Sequence, residues 1–391
     1  MVDLTKRRLL KQGLIGLSVC GVGSVWSKAL IGGYSNQFDQ PLRAADENGV
    51  RLPGGLSSRI IARSSEPVIS GQDYKWHAAP DGGACFASKH GGWIYVSNSE
   101  VSMTGGVGAI VFDAHGDIID AYSILENTSR NCAGGATPWG SWLSCEEIDS
   151  GRVWECFPDG LTPAVVRPAL GVFNHEAVAV DEDSNTLYLT EDKKDGCLYR
   201  FTADSLNSNA YPDLSVGTLE VATMLNKSAT GKGGVLAWLA VKDVLAKWQP
   251  TRYQQPLALK FNGGEGIAWF KGRLVFTTKG DNRVWSYNTR SQLLDVVYDA
   301  ADSLTPILTG VDNITVSQSG DIYVAEDGGD LQVVVIDRQG DLYPLLQLEG
   351  HEQSEVTGIA FSPDGKRLYF SSQRGTSGLS NEGVTYEISG F

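Results

Sequence analysis

A thiol and two adjacent carboxylates frame one short stretch of the sequence. Cys132 opens a glycine-rich run, and Glu146 and Glu147 follow 14 and 15 residues later. Between them, Trp139 and Trp142 alternate with small residues, which is typical of a short, mostly buried strand reached through a tight turn. A thiolate is a soft metal ligand and a carboxylate is a hard one. The alternative is that Cys132 is a small core residue and both glutamates are solvated.

The same layout recurs along the chain beyond residue 80, at a spacing of about 45 residues where no insertion intervenes. Each unit has a small or acidic start, a short apolar strand, a turn with Gly or Asn, and a second strand that ends in polar residues. The six units begin at Cys85, Cys132, Glu176, Glu265, Asn313 and Thr357. Strands at this spacing are typical of propeller blades, so we predict an all-β fold, a six-bladed β-propeller over residues 71–391.

Two segments interrupt or precede the repeat. The interval between Glu176 and Glu265 is long, and the apolar residues of 235–248 recur at helical spacing, which predicts a small helical insertion. Residues 30–70 are polar and are predicted to be an irregular lead-in with one edge strand at 58–63.

Residues 1–29 have the composition of an export signal. A basic start with Arg7 and Arg8 precedes a weakly apolar run and small residues near Ala29. The paired arginines resemble a twin-arginine signal, although Lys6 stands where strict alignment places the first arginine. This predicts a periplasmic or secreted protein that can load a cofactor before export. An ordinary secretory signal or a retained membrane anchor is the alternative.

The charge balance excludes one class of partner. The chain has 32 Lys and Arg against 46 Asp and Glu, a net charge of -14. Because phosphate backbones require basic surfaces, we expect no nucleic-acid partner. No segment after the leader is long and apolar enough to span a bilayer. We therefore expect no stable membrane span in the mature chain. We also expect the protein to be a monomer.

The repeat brings two sets of polar residues to one end of the predicted channel. If neighbouring strands are antiparallel, the starts of the first strands lie beside the ends of the second strands. The second set lies at 98–100, 146–147, 191–192, 278–279, 326–327 and 372–374. Grouped carboxylates cost several kcal/mol for each buried charge unless cations compensate them. Carboxylates and an Asn carbonyl suit calcium or magnesium, whereas a thiolate favours iron or zinc. Of His175 and Glu176, only one can face the channel, and we favour Glu176.

These residues resemble the PhoX-type alkaline phosphatase family. The most specific match is 131–135 with 137–140 and 145–147, and weaker matches lie at 174–177, 265–266, 312–314, 325–328 and 357–365. The resemblance implies a six-bladed propeller with an iron–calcium cluster that hydrolyses phosphate monoesters of small molecules. It implies that Cys132 binds iron, that Glu176 and Glu265 are catalytic and bind or bridge both metals, and that Asp312 and Glu326 serve calcium. The complete expected ligand set is Cys132, Glu146, Glu147, Glu176, Glu265, Asp312, Asn313 and Glu326.

The sequence departs from the family pattern at one position. The family has an arginine two residues before the glutamate that matches Glu265, and here that position is Gly263. Such an arginine grips phosphate, because a guanidinium matches two oxygens of a tetrahedral oxyanion. We expect Arg374 and Lys279 to replace it, with Asn98 as a further substrate-binding residue.

Two other functions fit parts of the pattern. A calcium-dependent propeller hydrolase of lactones or other esters uses Glu, Asn and Asp around a channel but does not need Cys132. A non-catalytic exported binding propeller retains its metals only for stability, and the glycine at position 263 favours this alternative.

Overall fold

The computed structural model describes residues 40–229 and 231–391. The predicted export signal, residues 1–29, and the first part of the predicted lead-in, residues 30–39, lie outside the described residues. The described ranges contain β-strands and five single-turn 3-10 helices but no α-helix. Within these ranges, no helix has the length and apolar character required to cross a membrane.

The described strands alternate with short turns along the chain. The first half contains β1 (Val50–Arg51), β2 (Ser57–Arg63), β3 (Pro80–Ala87), β4 (Trp93–Ser99), β5 (Gly105–Phe112), β6 (Ile118–Thr128), β7 (Asn131–Ala136), β8 (Trp142–Glu146), β9 (Val153–Cys156), β10 (Val165–Val166), β11 (His175–Asp181), β12 (Thr186–Glu191) and β13 (Leu198–Ala203). The second half contains β14 (Gly217–Lys227), β15 (Gly233–Ala240), β16 (Gly264–Phe270), β17 (Arg273–Thr278), β18 (Arg283–Asn288), β19 (Leu293–Asp299), β20 (Val311–Val316), β21 (Ile322–Glu326), β22 (Gln332–Ile336), β23 (Leu342–Leu348), β24 (Val356–Phe361), β25 (Arg367–Ser372) and β26 (Val384–Ser389). The 3-10 helices are Pro168–Leu170, Thr251–Tyr253, Lys279–Asp281, Ala300–Asp302 and Ser380–Glu382.

Hydrogen bonds join these strands into five sheets. Three have four strands, in the orders β3-β4-β5-β6, β7-β8-β9-β10 and β24-β25-β26-β2. A fourth has the order β20-β21-β22-β23-β1, and the fifth runs through nine strands, β11-β12-β13-β14-β15-β19-β18-β17-β16. The five sheets contain six groups of successive strands, because the nine-stranded sheet combines β11–β15 with β16–β19. Within each group the strands are antiparallel, so each group is a meander that begins at its first strand.

The first strands of successive groups close a ring. β3 packs beside β7, β7 beside β11, β11 beside β16, β16 beside β20, β20 beside β24, and β24 beside β3. β15 pairs with the outer strands β14 and β19 and thereby merges two neighbouring groups into the nine-stranded sheet. The fold is all-β and propeller-like, so the prediction of six separate blades is confirmed only in part.

The predicted helical insertion at 235–248 is wrong. Its first residues belong to β15, and the rest forms turns that lead to the 3-10 helix at Thr251–Tyr253. The indole of Trp238 packs against Tyr188 at 5.7 Å and against Tyr287 at 5.9 Å. Because β15 bridges two groups, apolar residues occupy both of its faces, and such a run cannot be distinguished from a helix by periodicity.

An early strand and the last strand meet in one sheet. β2 pairs with β26 over most of its length, so a strand of the predicted lead-in completes the sheet of β24, β25 and β26 at its outer edge. β1, from the same lead-in, pairs with β23. The predicted edge strand at 58–63 corresponds to β2.

Apolar contacts between neighbouring groups hold the ring strands in place. Tyr95 of β4 stacks on Tyr369 of β25 with ring centroids 5.0 Å apart, which joins the first group to the last. Both tyrosine side chains are fully buried, and a buried aromatic side chain removes roughly 150–250 Å² from water. This packing fixes the strands whose ends carry the polar residues.

Small residues let the ring strands approach one another closely. The third residues of the six ring strands are Gly82, Ala133, Ala177, Gly266, Asn313 and Gly358. A Cβ atom added at Gly266 would lie 2.6 Å from the backbone nitrogen of Ile314, so only glycine fits there without a shift of the strands. These residues line a cavity of about 40 Å³ on the axis of the ring.

Candidate metal centre

All six ring strands carry a β-bulge near their start. The pairing register shifts between Pro80 and Gly83 in β3, and the equivalent shift occurs in the other five strands. A bulge changes the direction of the side chain beside it. The second residues of the ring strands are Asp81, Cys132, Glu176, Glu265, Asp312 and Thr357. The first five lie within the bulges, and Thr357 directly precedes the shift in β24.

A second set of side chains directly follows the second strand of each group. These residues are Glu100, Glu147, Asp192, Lys279, Asp327 and Gln373. Because each second strand is antiparallel to its ring strand, its end lies beside the start of that ring strand. The two sets therefore meet at one end of the ring, as the sequence predicts.

Nine side chains from these sets and their surroundings form one continuous cluster, which we call the acidic arc. Four overlapping groups place their ligand atoms within 4.8 Å of one another. The groups are Asp81, Glu100 and Cys132; Cys132, Glu147 and Glu176; Glu176, Glu265 and Asp312; and Asp312, Asp327 and Glu355. Each group shares one residue with the next.

The carboxylate of Glu176, beside the Cys132 thiol, is buried and incompletely hydrogen-bonded. The Cys132 thiol donates to Glu176 Oε1 at 3.4 Å, while the buried Glu176 Oε2 has no hydrogen-bond partner. Burial, followed by repulsion from Glu265, raises the pKa of Glu176 well above its usual range. Burial and nearby carboxylates likewise raise the pKa of the Cys132 thiol. Burial and the charge of Glu100 raise the pKa of Glu147 to about 8.

Three basic side chains contact the arc from its rim. Arg130 lies 2.9 Å from Glu100 Oε1 and 3.2 Å from Glu147 Oε2. Lys279 contacts three carboxylates at the other end, and Arg374 Nη2 lies 2.7 Å from Glu355 Oε1. Eight carboxyl groups thus face three basic side chains among the described residues of the arc and its rim.

The donor set fits bound metal ions. A thiol with carboxylates from separate strands offers a soft and a hard ligand at one place. The orphaned Glu176 Oε2 needs a cation or a proton, since a buried unpaired charge is costly. The remaining carboxylates offer only oxygen atoms, which is the ligand type that calcium prefers.

Five of the eight predicted metal ligands lie in the acidic arc. They are Cys132, Glu147, Glu176, Glu265 and Asp312. Glu146 and Glu326 lie elsewhere. Glu146 accepts backbone hydrogen bonds from Ser129 at 3.0 Å and Arg152 at 3.2 Å. Glu326 accepts them from Thr309 and Gln332 in the same way, so both carboxylates stabilise turns.

Two predicted asparagines also serve the frame. Asn98 is fully buried; its amide group donates to the carbonyls of Cys132 and Ala133, and its oxygen accepts from Trp142 and Ser144. Asn98 therefore holds the Cys132 backbone and has no group left for a substrate. Asn313 donates to Asp312 Oδ1 at 2.9 Å and accepts from the backbone of Gly358.

Sequence reasoning missed Asp81, Glu355 and Arg130. It placed Glu100 and Asp327 at the channel end but did not name them as ligands. The first unit was placed to begin at Cys85, four residues too late, and Cys85 instead packs in an apolar cluster. The signal for Asp81 was the acidic residue before Gly82 and Gly83, which matches the thiol before Ala133 and Gly134.

Comparison with known structures supports this fold. Pseudomonas fluorescens PhoX in complex with vanadate, described as a transition state analogue, superposes with a TM-score of 0.72 at 16% identity over 90% of this chain and 97% of that chain. A gluconolactonase from Xanthomonas campestris gives a TM-score of 0.52 at 12% identity over 90% and 97% of the two chains. No curated protein sequence matches this chain.

A family comparison assigns the chain. The sequence model described as alkaline phosphatase PhoX matches residues 95–160, 158–302 and 294–375, which together cover most of the chain and every residue of the acidic arc except Asp81. The protein is therefore a member of the PhoX alkaline phosphatase family.

Proposed function

We propose that this protein is an exported, metal-dependent phosphatase that hydrolyses small phosphate monoesters with iron and calcium held in the acidic arc. The observation that carries this proposal is the meeting of the Cys132 thiol with Glu147 and Glu176, within 4.8 Å, in a member of the PhoX family. A purely structural cysteine has no need for two carboxylates beside it.

The ligand types divide the arc between two kinds of metal. Cys132, Glu147 and Glu176 would hold iron, whereas Glu265 and Asp312 offer oxygen atoms for calcium. When bound, such metals act as Lewis acids that polarise the phosphoryl oxygens and offset developing charge. Glu176 and Glu265 are the proposed catalytic residues because they lie where the two halves meet. Asn98 and Asn313 keep this geometry fixed.

Basic side chains on the rim would bind the phosphate. Arg130 lies beside the thiol end and its side chain is 44% exposed, so its guanidinium can reach a ligand above the arc. Arg374 and Lys279 are each 34% exposed at the other end. Gly263 has φ of +72°, a conformation that strains any other residue, and we propose that Arg130 supplies the guanidinium that is missing there.

The remaining assignments belong to the same proposal. We count the nine-stranded sheet as two blades, which gives a six-bladed propeller in a single domain over residues 71–391, closed by strands of the lead-in. Residues 1–29 are assigned to twin-arginine-type export into the periplasm or the medium, and the mature protein is assigned as a monomer.

The test is hydrolysis of an aryl phosphate at alkaline pH by protein loaded with iron and calcium. Glu265→Gln should lose at least a hundredfold in kcat/KM, because it removes a ligand charge from the centre of the arc. Glu182→Gln, an exposed residue outside the arc, is the control and should keep full activity. Equal turnover by the wild type and Glu265→Gln would refute the proposal.

The oxygen-only half of the arc keeps a second function open. Glu265, Asp312, Asp327 and Glu355 can hold calcium without help from Cys132, as a calcium-dependent lactonase or esterase requires. Elemental analysis decides between the two. Calcium without iron, together with lactone hydrolysis, favours the alternative, and metal without hydrolysis of any ester indicates a binding propeller.

A further inference from the structure

The ammonium group of Lys279 lies against three carboxylates of the acidic arc. Its Nζ is 3.0 Å from Asp327 Oδ2, 3.1 Å from Asp312 Oδ2 and 3.4 Å from Glu265 Oε1. These carboxylates belong to two overlapping ligand groups of the arc. The lysine follows β17, in the position that carries an acidic residue after β4, β8, β12 and β21.

The lysine is anchored at its backbone and charged at its tip. Its N–H donates to the carbonyl of Gly263 at 2.9 Å, and the next residue, Gly280, donates to Asn262, which fixes the turn. Its ammonium group lies within ion-pair distance of the carboxylates of Glu265, Asp312 and Asp327. A protonated amine here supplies one positive charge without a metal ion.

The three carboxylates are nevertheless not fully satisfied by this amine. Glu265 is 2% exposed, and its Oε1 lies within ion-pair range of the ammonium but makes no hydrogen bond. A calcium ion at 2.3–2.6 Å from its oxygen ligands would satisfy Glu265 Oε1. The ammonium of Lys279 has only three protons for the six oxygen atoms of the three carboxylates. The oxygen atoms therefore outline a calcium position that the lysine side chain fills.

The thiol end of the arc has no equivalent amine. Glu176 Oε2 has no hydrogen-bond partner among the described residues, and Arg130 contacts Glu100 Oε1 and Glu147 Oε2 on the rim side. We infer that Lys279 is a resident cation of the arc that excludes an additional calcium ion from the space between Glu265, Asp312 and Asp327, and that its removal uncovers this latent calcium site. This inference rests on the proposed metal centre and not on phosphatase activity.

The experiment counts calcium in Lys279→Met after removal of metals with a chelator. Equilibrium dialysis with elemental analysis gives the stoichiometry, and isothermal titration calorimetry gives the affinity. Lys279→Met should bind one calcium ion more per chain than the wild type, or bind calcium at least tenfold more tightly. Lys279→Arg, which keeps the charge, should match the wild type.

Lys232→Met is the matched control. Lys232 is 38% exposed and pairs with two carboxylates, Asp299 and Asp302, outside the arc. Its loss should leave calcium binding unchanged. Identical stoichiometry and affinity in Lys279→Met and the wild type would overturn the inference, whether or not the protein hydrolyses an aryl phosphate. A gain of calcium by Lys279→Met, together with a metal-loaded wild type that does not hydrolyse the aryl phosphate, would support the inference and count against the proposed function.

The naked carboxylates in Lys279→Met can prevent folding in the absence of metal. Refolding on addition of calcium alone, measured by circular dichroism, would then support the inference. The double variant Lys279→Met, Asp327→Asn removes one of the repelling charges and serves as a second test. If this variant folds while Lys279→Met stays unfolded in calcium, no calcium site exists and the inference fails.

Discussion

Neighbouring side chains at the end of a second strand have opposite roles in this protein. Glu146 is the last residue of β8 and accepts two backbone N–H groups, whereas Glu147 lies beside Cys132 in the acidic arc. Glu326 and Asp327 divide the same two roles at the end of β21. Since successive side chains of an extended chain point to opposite sides, only the second of each pair can reach the arc.

Matched amide substitutions separate these roles. Glu147→Gln should lower the iron content because it removes a charged ligand, while the free energy of unfolding of the metal-free protein changes little. Glu146→Gln should keep its metal but lose about 1–3 kcal/mol of stability, since the new amide donor faces a buried N–H. Elemental analysis and urea denaturation measure the two effects, and the opposite pattern would show that the roles are reversed.

The thiol is the residue on which an iron site depends most. Cys132→Ser should fold but lose iron, its thiolate–iron absorption and phosphatase activity together, because a neutral hydroxyl replaces a soft anionic ligand. Cys85→Ser is the control, because Cys85 is also partly buried but lies outside the arc. Full iron content in Cys132→Ser, measured by elemental analysis and absorption spectroscopy, would remove the thiol from the site.

At the scale of strands, hydrophobic patterning predicted the ring but not its details. The alternation of apolar strands and turns was enough to place seven of the nine arc residues at the starts or ends of the correct strands. It failed for Asp81, because the apolar residues 84–86 drew the predicted start of the unit past the bulge of β3. It also failed for β15, whose partner strands are distant in sequence. Bulge position and pairing between groups are set by tertiary contacts.

The pairing of β2 with β26 depends on one buried carboxylate. Glu387 of β26 is 1% exposed and contacts Arg59 of β2 at 2.8 Å, Arg367 at 2.6 Å and the Tyr369 hydroxyl at 2.7 Å. Glu387→Ala should lower the free energy of unfolding by about 1–3 kcal/mol, because the tyrosine loses its acceptor while the partly exposed arginines remain hydrated.

A second ion pair between the lead-in and a late segment provides the control. Arg51 and Glu349 lie 3.4 Å apart at the surface, so Glu349→Ala should cost less than about 1 kcal/mol. Urea denaturation of the two variants gives the comparison. Equal losses would mean that the closure does not depend on the buried network.

The pH dependence of the stability of the whole molecule should include a contribution from the neutral imidazole of His77. Burial lowers the pKa of His77 to about 3, while the unfolded chain titrates near 6.5. The unfolded state therefore takes up the proton first as the pH falls, so the contribution of His77 to stability is complete above about pH 6.5 and is lost toward pH 3.

A difference measurement isolates this contribution from the carboxyl groups, whose raised pKa values act in the opposite direction. The stability of the wild type relative to His77→Gln should fall by about 1.4 kcal/mol for each pH unit between 6 and 4. Urea denaturation of both proteins across this range provides the data. A difference that does not vary with pH would show that His77 is protonated in the folded state.

The small residues behind the acidic arc determine from which side a molecule can reach it. The cavity on the axis has a volume of about 40 Å³, which suits water molecules. In the proposed function, an ester therefore reaches the arc from the rim on which Arg130 and Lys279 lie. The ester and the phosphate product would then pass through the same opening, so each phosphate has to leave before the next ester can bind. Accumulated phosphate should accordingly slow the enzyme as a competitive inhibitor.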